Sequence, residues 1–286
     1  METTKKDTFP PQHQNRQPGK ESEMTPAPVF DDRNYKGSGK LTGKVAVVTG
    51  GDSGIGRAVA IAYAKEGADV AIVHLGEDDD ARETYEIVVG YGVRCLKLSA
   101  DLKDEKECRT VVDEVVRHFD KIDILVNNAG VQYPQNSILD ITKDQLAHTF
   151  ESNVFSQFYL TKAALTHMQR GGAIINTTSI TAFEGSETLI DYSATKGAIL
   201  SFTRSMALSL VKQGIRVNAV APGPIWTPLI VSSFSAEEVK TFGSTTPMQR
   251  AGQPCEAAPA YVFLASGDSS YMTGQVLHVN GGKIIN

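Results

Sequence analysis

Seven short apolar runs, separated by longer amphipathic stretches, dominate the chain from Lys44 onward. Each run is almost continuously apolar rather than alternating, which is typical of strands covered on both faces. The intervening stretches, such as 57–67 and 143–170, carry apolar residues at helical spacing. This order predicts one doubly wound α/β domain, a seven-stranded parallel sheet with helices on both faces. The predicted strands are 44–49, 69–74, 93–98, 123–127, 173–178, 215–221 and 276–279.

The first 40 residues differ from everything after them. They hold five of the twelve prolines and almost no aliphatic side chains, so they cannot build a core of their own. We therefore divide the chain into an extended or disordered N-terminal arm, 1–40, and one domain, 41–286. A disordered tail and an arm docked across a neighbouring subunit both fit this composition.

Composition excludes several classes of partner. The formal charge is −5 and the basic residues are dispersed, so we expect no nucleic-acid partner. The three cysteines stand far apart with no zinc-like spacing, which fits a reducing, cytoplasmic compartment and predicts no metal site. No stretch has the uninterrupted apolar length of a membrane span, so we expect no membrane partner.

A glycine-rich turn, TGGDSGIGR, joins the first predicted strand to the first helix. Glycines at this point allow a tight turn and the close approach of a diphosphate to the helix N-terminal amides. The placement predicts dinucleotide binding rather than a purely structural turn. The residues of the turn expected to contact the cofactor are Gly50, Asp52, Ser53, Gly54, Ile55 and Gly56.

The T-G-x-x-x-G-x-G spacing resembles that of the short-chain dehydrogenase/reductase family, and more motifs follow in that family's order over residues 43–282. They are SADL (99–102), NNAG (127–130), Asn153, Ser179, Tyr192 with Lys196, and APGPIWT (221–227). In the arm, FPPQ, QPGKE and M-x-P-x-P resemble the glucose and ribitol dehydrogenase-like subgroup. The resemblance implies a Rossmann-type fold and further cofactor contacts at His74, Asp101, Leu102, Asn128, Ala129, Gly130, Tyr192, Lys196, Pro222, Gly223, Ile225 and Thr227.

The same resemblance implies four catalytic residues, Ser179, Tyr192, Lys196 and Asn153. Carbonyl reduction needs a proton donor, alcohol oxidation needs a base, and a free phenol is a poor base at neutral pH. Lys196 shares a helix face with Tyr192, and an ammonium about 4 Å away contributes roughly 4 kcal/mol at an effective dielectric of about 20. We therefore expect Tyr192 to titrate near neutrality, helped by a cationic oxidised nicotinamide. Ser179 would donate to the substrate oxygen, and Asn153 would hold a water that links Lys196 to solvent.

The choice between NAD and NADP depends on the turn after the second strand. That strand ends at His74, where enzymes that prefer NAD usually carry an aspartate. The next turn is acidic at 77–80 and has no basic residue before Arg82, which disfavours a 2′-phosphate. We favour NAD over NADP, although the acidic run also fits an ordinary solvated loop.

The segment 224–253 occupies the place of a mobile lid over a substrate pocket. Trp226 would either line that pocket or pack inside the lid. Gln132, Tyr133 and Glu184 are candidates to contact a hydroxylated substrate, and a position on solvent-facing loops is the alternative for each of them.

The function indicated is an NAD(P)-dependent oxidoreductase acting on a small alcohol or carbonyl compound, with a sugar or polyol as a candidate substrate. A non-catalytic dinucleotide-binding redox sensor is the alternative, and the full Ser, Tyr, Lys and Asn set argues against it. An epimerase or dehydratase usually shows T-G-x-x-G-x-x-G and a larger C-terminal domain, and this chain has neither. The resemblance also implies a homotetramer.

Overall fold

The computed structural model describes residues 6–285. Its centre is a seven-stranded sheet of order β3-β2-β1-β4-β5-β6-β7, in which every neighbouring pair is parallel. The prediction of a doubly wound parallel sheet is confirmed. The order reverses between β1 and β4, which opens a crevice beyond the carboxyl ends of the strands. The strands are β1 Val45–Thr49, β2 Asp69–His74, β3 Cys95–Ser99, β4 Ile122–Asn127, β5 Met168–Thr177, β6 Arg216–Pro222 and β7 Val276–Val279.

Helices cover both faces of the sheet. The first face packs against α1, α2 and α10, and the second against α3, α5 and α7. A π-helical turn, Glu151–Phe155, joins α4 to α5. The helices are α1 Gly54–Lys65, α2 Asp78–Gly90, α3 Glu105–Phe119, α4 Lys143–Phe150, α5 Ser156–Leu165, α6 Thr181–Glu184, α7 Ile190–Leu210, α8 Pro228–Val231, α9 Ala236–Lys240 and α10 Pro254–Ala265.

Local sequence explains why these elements form where they do. In α3, the side chain of Asp104 caps the N-terminus by accepting from Lys106 N, and Asp120, with φ of 70°, ends the helix. Between the caps, Val111 and Val115 fall on one face and are fully buried against the sheet. Burial of such a side chain contributes about 1.5–3 kcal/mol, which stabilises the helix through packing.

One helix ends earlier than its periodicity predicts. The run 143–170 was expected to be helical throughout, but α5 ends at Leu165 and β5 begins at Met168. The segment after α5 satisfies its backbone by pairing with β4, where Met168 lies opposite Ile122 across a register shift. Apolar spacing alone does not reveal this, because the strand partner is distant in sequence.

The arm crosses its own domain along a defined path. Thr8 N donates to Lys240 O of α9 at 2.7 Å, and Gln14 N donates to Val231 O of α8 at 2.7 Å. Further on, the Glu66 carboxylate at the end of α1 accepts from Ser38 N at 2.9 Å. Residues 6–40 therefore contact the lid first and the first helix last.

A third apolar cluster joins the arm to the lid. Trp226 is fully buried, and Phe9 of the arm stacks on it with ring centroids 3.8 Å apart. Its Nε1 donates to Pro26 O at 2.9 Å. Of the two alternatives for Trp226, packing inside the lid is the one observed, with Phe9 and Met24 of the arm in the same cluster.

Candidate active site

The glycine turn folds as its spacing predicts. Gly50 and Gly54 have φ of +61° and +51°, a region that favours glycine, and α1 begins at Gly54. A Cβ on Gly56 would lie 1.8 Å from Gly50 O. Only hydrogen fits there, so the helix packs directly on the turn. The first N–H of the helix, Gly54 N, donates to the Glu21 carboxylate of the arm at 2.7 Å.

The NNAG segment after β4 holds this turn from the side. Asn128 N and Ala129 N donate to Thr49 Oγ1 at 2.8 and 3.0 Å, and Asn128 Nδ2 donates to Thr49 O at 3.0 Å. These bonds tie the carboxyl end of β4 to the glycine turn. The loop after β4 therefore helps to hold the glycine turn in the position where a cofactor would bind.

The ends of β2 and β3 form the far side of the crevice. His74 is buried, and burial lowers the pKa of its imidazole, which keeps the ring neutral at pH 7. Asp101 and Leu102 follow β3, where Asp101 Oδ1 accepts from Lys103 N at 3.1 Å. Asp52, in the glycine turn, is also buried, which raises the pKa of its carboxyl to about 6.

Three predicted catalytic residues meet where β5 ends against α7. Ser179 follows β5, and its Oγ accepts from Thr181 N at 3.1 Å. Tyr192 and Lys196 lie one turn apart on α7, and both are buried. Lys196 Nζ donates to Thr177 O at 2.9 Å and lies 5.3 Å from the centroid of the Tyr192 ring.

The expected near-neutral titration of Tyr192 is not found. Burial raises the pKa of Tyr192 to about 12, and a hydrogen bond with Ser179 opposes this rise only in part. Burial also lowers the pKa of Lys196 to about 8. The expectation from one ion pair at an effective dielectric of about 20 left out desolvation, which penalises the charged form of both groups.

Asn153 lies in the π-helical turn, fully buried behind the catalytic pair. Its Oδ1 accepts from Val131 N at 2.8 Å, and its Nδ2 donates to Val131 O at 2.9 Å and to Thr195 Oγ1 at 3.1 Å. The side chain thereby links the loop after β4 to α7. π-helical turns are frequent at functional sites because they displace the backbone hydrogen bonds.

One cleft of about 530 Å³ brings most of the predicted residues together. Of the 20 different residues predicted, all line its wall except Gly56, which lies under the glycine turn, and Asn153, which lies behind α7. The glycine turn and the volume fit a dinucleotide: the turn would hold the diphosphate beside the Glu21 carboxylate, which accepts from Gly54 N at 2.7 Å, and the end of the cleft near Tyr192 would hold the nicotinamide. Gly50 and Gly56 support this fit, because a Cβ at Gly56 would lie 1.8 Å from Gly50 O and one at Gly50 would lie 3.2 Å from Ala129 Cα, so side chains at these positions would distort the turn.

The structure also corrects and extends the predicted pocket. Gln132 and Tyr133 line the cleft, but Glu184 does not, because its carboxylate pairs with Lys283 at 2.9 Å. His148 and three arm residues, 17–19, line the cleft and were not predicted. The arm carried only a compositional signal, which does not show where an extended segment docks.

No helix within residues 6–285 has both the length and the apolar content needed to cross a bilayer. Over the same residues, no three His, Cys, Asp or Glu side chains are grouped closely enough to hold a metal ion.

Known proteins resemble this chain over almost its whole length. "Uncharacterized oxidoreductase YhdF" of Bacillus subtilis is 63% identical over 275 residues, 96% of this chain and 95% of the relative. "Glucose and ribitol dehydrogenase" of Daucus carota is 55% identical, over 97% and 98% of the two chains. "NADPH-dependent aldehyde reductase 1, chloroplastic" of Arabidopsis thaliana is 52% identical, over 96% and 98%.

A solved structure and a family model agree with these relatives. A short-chain dehydrogenase from Burkholderia cenocepacia in complex with NADP superposes with a TM-score of 0.80 at 32% identity, over 85% of this chain and 98% of that one. The family model adh_short_C2, described as enoyl-(acyl carrier protein) reductase, matches residues 50–283. Nothing in these likenesses supports the sequence-based preference for NAD over NADP. The chain belongs to the short-chain dehydrogenase/reductase family and is an NAD(P)-dependent oxidoreductase.

Proposed function

We propose that this enzyme transfers a hydride between nicotinamide and a small hydroxylated alcohol or carbonyl compound, with Tyr192 as the general acid and base. The main observation in support of this proposal is that Ser179, Tyr192 and Lys196 line the same cleft as the glycine turn. When bound, the nicotinamide supplies or accepts the hydride. The residues of the chain then have to move one proton and stabilise one oxygen.

Tyr192 carries that proton. With a pKa near 12 its phenol is protonated at neutral pH, which suits it to donate to the oxygen of a carbonyl under reduction. Ser179 donates a hydrogen bond to the same substrate oxygen and stabilises the negative charge that develops there. In the oxidation direction, Tyr192 accepts the proton only after its pKa falls, which a cationic nicotinamide beside it favours.

Lys196 and Asn153 support the phenol. Lys196 is anchored by Thr177 O, and its cationic form stabilises the Tyr192 phenolate. The Asn153 side chain is hydrogen-bonded to Val131 and Thr195, so we assign it a positioning role. A water that returns protons from Lys196 to solvent would then be held by backbone carbonyls of the π-helical turn rather than by the Asn153 amide.

The substrate end of the cleft favours a hydroxylated compound. Gln132 is buried, and its Nε2 has no hydrogen-bond acceptor among the described residues. Tyr133 and His148 lie beside it with ring centroids 5.8 Å apart. A buried donor without a partner is costly, and a substrate hydroxyl would satisfy it. A sugar or polyol aldehyde meets this requirement, in keeping with the glucose and ribitol dehydrogenase relative.

We also propose a cytoplasmic homotetramer. Phe155 and Phe158 lie half-exposed at the π-helical turn and on α5, and Leu208 on α7 is 80% exposed. Apolar side chains on neighbouring helices favour association with a second copy. Light scattering coupled to gel filtration measures the assembly directly.

The test of the function uses Tyr192→Phe and, as a control, the same change at the fully exposed Tyr271. Carbonyl reduction is followed by nicotinamide absorbance over a panel of sugars, polyols, small aldehydes and cyclic ketones. We expect Tyr192→Phe to lower kcat by about 10²- to 10⁴-fold, with dinucleotide Kd within threefold of wild type, and Tyr271→Phe to change neither. Retention of more than a few per cent of turnover in Tyr192→Phe contradicts the assignment.

A further inference from the structure

The arm brings an arginine to the acidic turn after β2. Arg16 Nη2 forms a short ion pair with Glu77 Oε1, and Arg16 Nε donates to Pro18 O at 3.1 Å. By sequence alone this turn has no basic residue before Arg82. The tertiary structure supplies one from a segment 61 residues upstream of Glu77.

This ion pair lies beside the wall of the cleft: Arg16 and Glu77 are not lining residues, but their neighbours Gln17 and Leu75 are. Glu77 is the residue before α2, three residues after His74, and both His74 and Leu75 line the cleft. Pro18, which accepts from the Arg16 guanidinium, lines the same cleft from the arm side. In dinucleotide folds this place holds the adenosine ribose, where an acidic residue contacts the 2′-hydroxyl or an arginine accommodates a 2′-phosphate.

Most of the other acidic side chains in this turn are exposed to solvent or bonded to residues other than Arg16. The side chains of Asp78 and Asp79 are 76% and 83% exposed, and Asp79 pairs with Arg82 at 2.9 Å. Asp80 is buried, and its Oδ2 accepts from Glu21 N at 2.9 Å. The like charges that seemed to oppose a 2′-phosphate are therefore turned to solvent or held by the arm.

The Arg16 guanidinium has N–H groups that are still able to donate to a ligand. Its side chain is 41% exposed, while that of Glu77 is 4% exposed. Nη1 has no acceptor among the described residues, and Lys20 of the same arm adds a second positive charge acting on Glu77. A planar guanidinium binds phosphate oxygens in a fork, which is a geometry that a ribose hydroxyl cannot match.

We propose that Arg16 is a specificity-determining residue that binds the ribose 2′-phosphate, and that Glu77 holds it in place and competes with that phosphate. This inference rests on the proposed function. It makes the arm part of the cofactor site and gives the enzyme a preference for NADP(H) over NAD(H). The acidic turn, from which NAD was favoured, then acts as the anchor of the arginine that selects the phosphate.

The experiment measures Kd for NADPH and NADH by nicotinamide fluorescence with the full chain at fixed ionic strength. The variants are Arg16→Gln, Arg16→Lys and Glu77→Gln, with Arg33→Gln as the matched control, because Arg33 is an exposed arginine of the same arm. Thermal unfolding without ligand verifies that each variant is folded. Dinucleotide affinity is measured without turnover, so this readout does not require the proton transfer proposed for Tyr192.

We expect wild type to bind NADPH more tightly than NADH. Arg16→Gln should weaken NADPH binding by about tenfold or more and change NADH binding by less than twofold, because a charge-assisted pair to the phosphate is lost. Arg16→Lys should retain part of the preference for NADPH, measured as the ratio of the NADH Kd to the NADPH Kd. Glu77→Gln should raise this ratio, and Arg33→Gln should leave it unchanged.

Two results overturn the inference while leaving the proposed function intact. One is an equal loss of NADPH and NADH affinity in Arg16→Gln, which would make Arg16 a structural contact of the arm. The other is an unchanged ratio of the two Kd values. Failure of wild type to bind either dinucleotide would instead overturn the proposed function, and this inference with it.

Discussion

Lys196 Nζ donates a 2.9 Å hydrogen bond to the carbonyl oxygen of Thr177, the last residue of β5. The same amine lies 5.3 Å from the centroid of the Tyr192 ring. The distance between amine and phenol is therefore set by how α7 packs on the sheet, as well as by their spacing along one helix. Both side chains are buried, so the protonation of each depends on desolvation.

The buried amine of Lys196 should leave a signature in the pH dependence of stability. Its pKa is lowered from 10.5 to about 8, so between these values the unfolded state binds more protons than the folded state. The contribution of Lys196 to the free energy of unfolding should therefore rise with pH across this window, by up to about 3 kcal/mol. The difference between wild type and Lys196→Met, measured by urea unfolding from pH 7.5 to 10.5, should grow accordingly.

The control for that series is Lys162→Met, since Lys162 is 78% exposed. Its difference from wild type should not grow in this way across the same pH range. Parallel curves for wild type and Lys196→Met would contradict the lowered pKa.

Gly56→Ala should disrupt the cofactor turn. The added Cβ would lie 1.8 Å from Gly50 O, so the turn or the start of α1 has to shift. Overpacking of this kind costs about 1–3 kcal/mol, and we expect dinucleotide affinity to fall by about tenfold or more. Isothermal titration with NADH and NADPH measures the loss.

Gly90→Ala is the matched control for that change. Gly90 lies in α2, and a Cβ there meets open space. The substitution should leave dinucleotide affinity unchanged and stabilise the chain by about 0.5–1 kcal/mol. Equal affinity in both variants would show that the turn tolerates a side chain at Gly56.

Glu21 should make stability fall as pH rises. Its carboxylate accepts from Gly54 N at 2.7 Å and pairs with Arg57 at 2.9 Å, but burial outweighs both and raises its pKa from 4.5 to about 7. The folded state therefore binds more protons than the unfolded state between these values. The contribution of Glu21 to the free energy of unfolding is fully present below pH 4.5 and is lost by about pH 7, a change of up to about 3 kcal/mol.

Glu21→Gln should abolish that component of the pH dependence, as read from thermal or urea unfolding between pH 4.5 and 7.5. Glu23→Gln in the same short turn, 55% exposed, should retain it. If the two variants showed the same pH profile, the raised pKa of Glu21 would be wrong.

The stacking of Phe9 on Trp226 makes fluorescence a reporter of the arm. Trp226 is the only tryptophan, it is fully buried, and the two rings lie 9° from parallel. Phe9→Ala should expose the indole, shift its emission to longer wavelength and cost about 0.5–1.5 kcal/mol beyond the lost area. Val29→Ala, at a half-exposed arm residue, should leave the emission unchanged. An unshifted spectrum in Phe9→Ala would show that the lid shields Trp226 without the arm.

Sequence patterns predicted the sheet well and the helix boundaries less well. The strands β1, β2 and β7 lie within a residue of their predicted bounds, because near-continuous apolar runs are a local signal. The end of α5 was missed because the competing structure, pairing of Met168 with Ile122, involves a partner 46 residues away. Most of the site followed the sheet, since the glycine turn, SADL, NNAG, Ser179 and APGPIWT lie where strands end, whereas Asn153 and the Tyr192–Lys196 pair lie on helical segments.

Local sequence patterns could not predict the ionisation of Tyr192 or the role of the arm. Spacing placed Lys196 one turn from Tyr192, but burial of both decides their pKa values, and burial depends on everything packed around α7. The arm showed only its prolines and lack of aliphatic residues. Its contacts at Trp226, Gly54 and Glu77 depend on side chains more than 30 residues away.

The sequence by itself determined the doubly wound sheet, the glycine turn and which residues stand at its strand ends, because apolar periodicity and glycine spacing act over a few residues. Only the tertiary structure decided that the arm lines one side of the cleft, that Arg16 stands beside Glu77, and that burial raises the pKa of Tyr192. These depend on desolvation and on charges brought together from distant segments, and no local pattern encodes either.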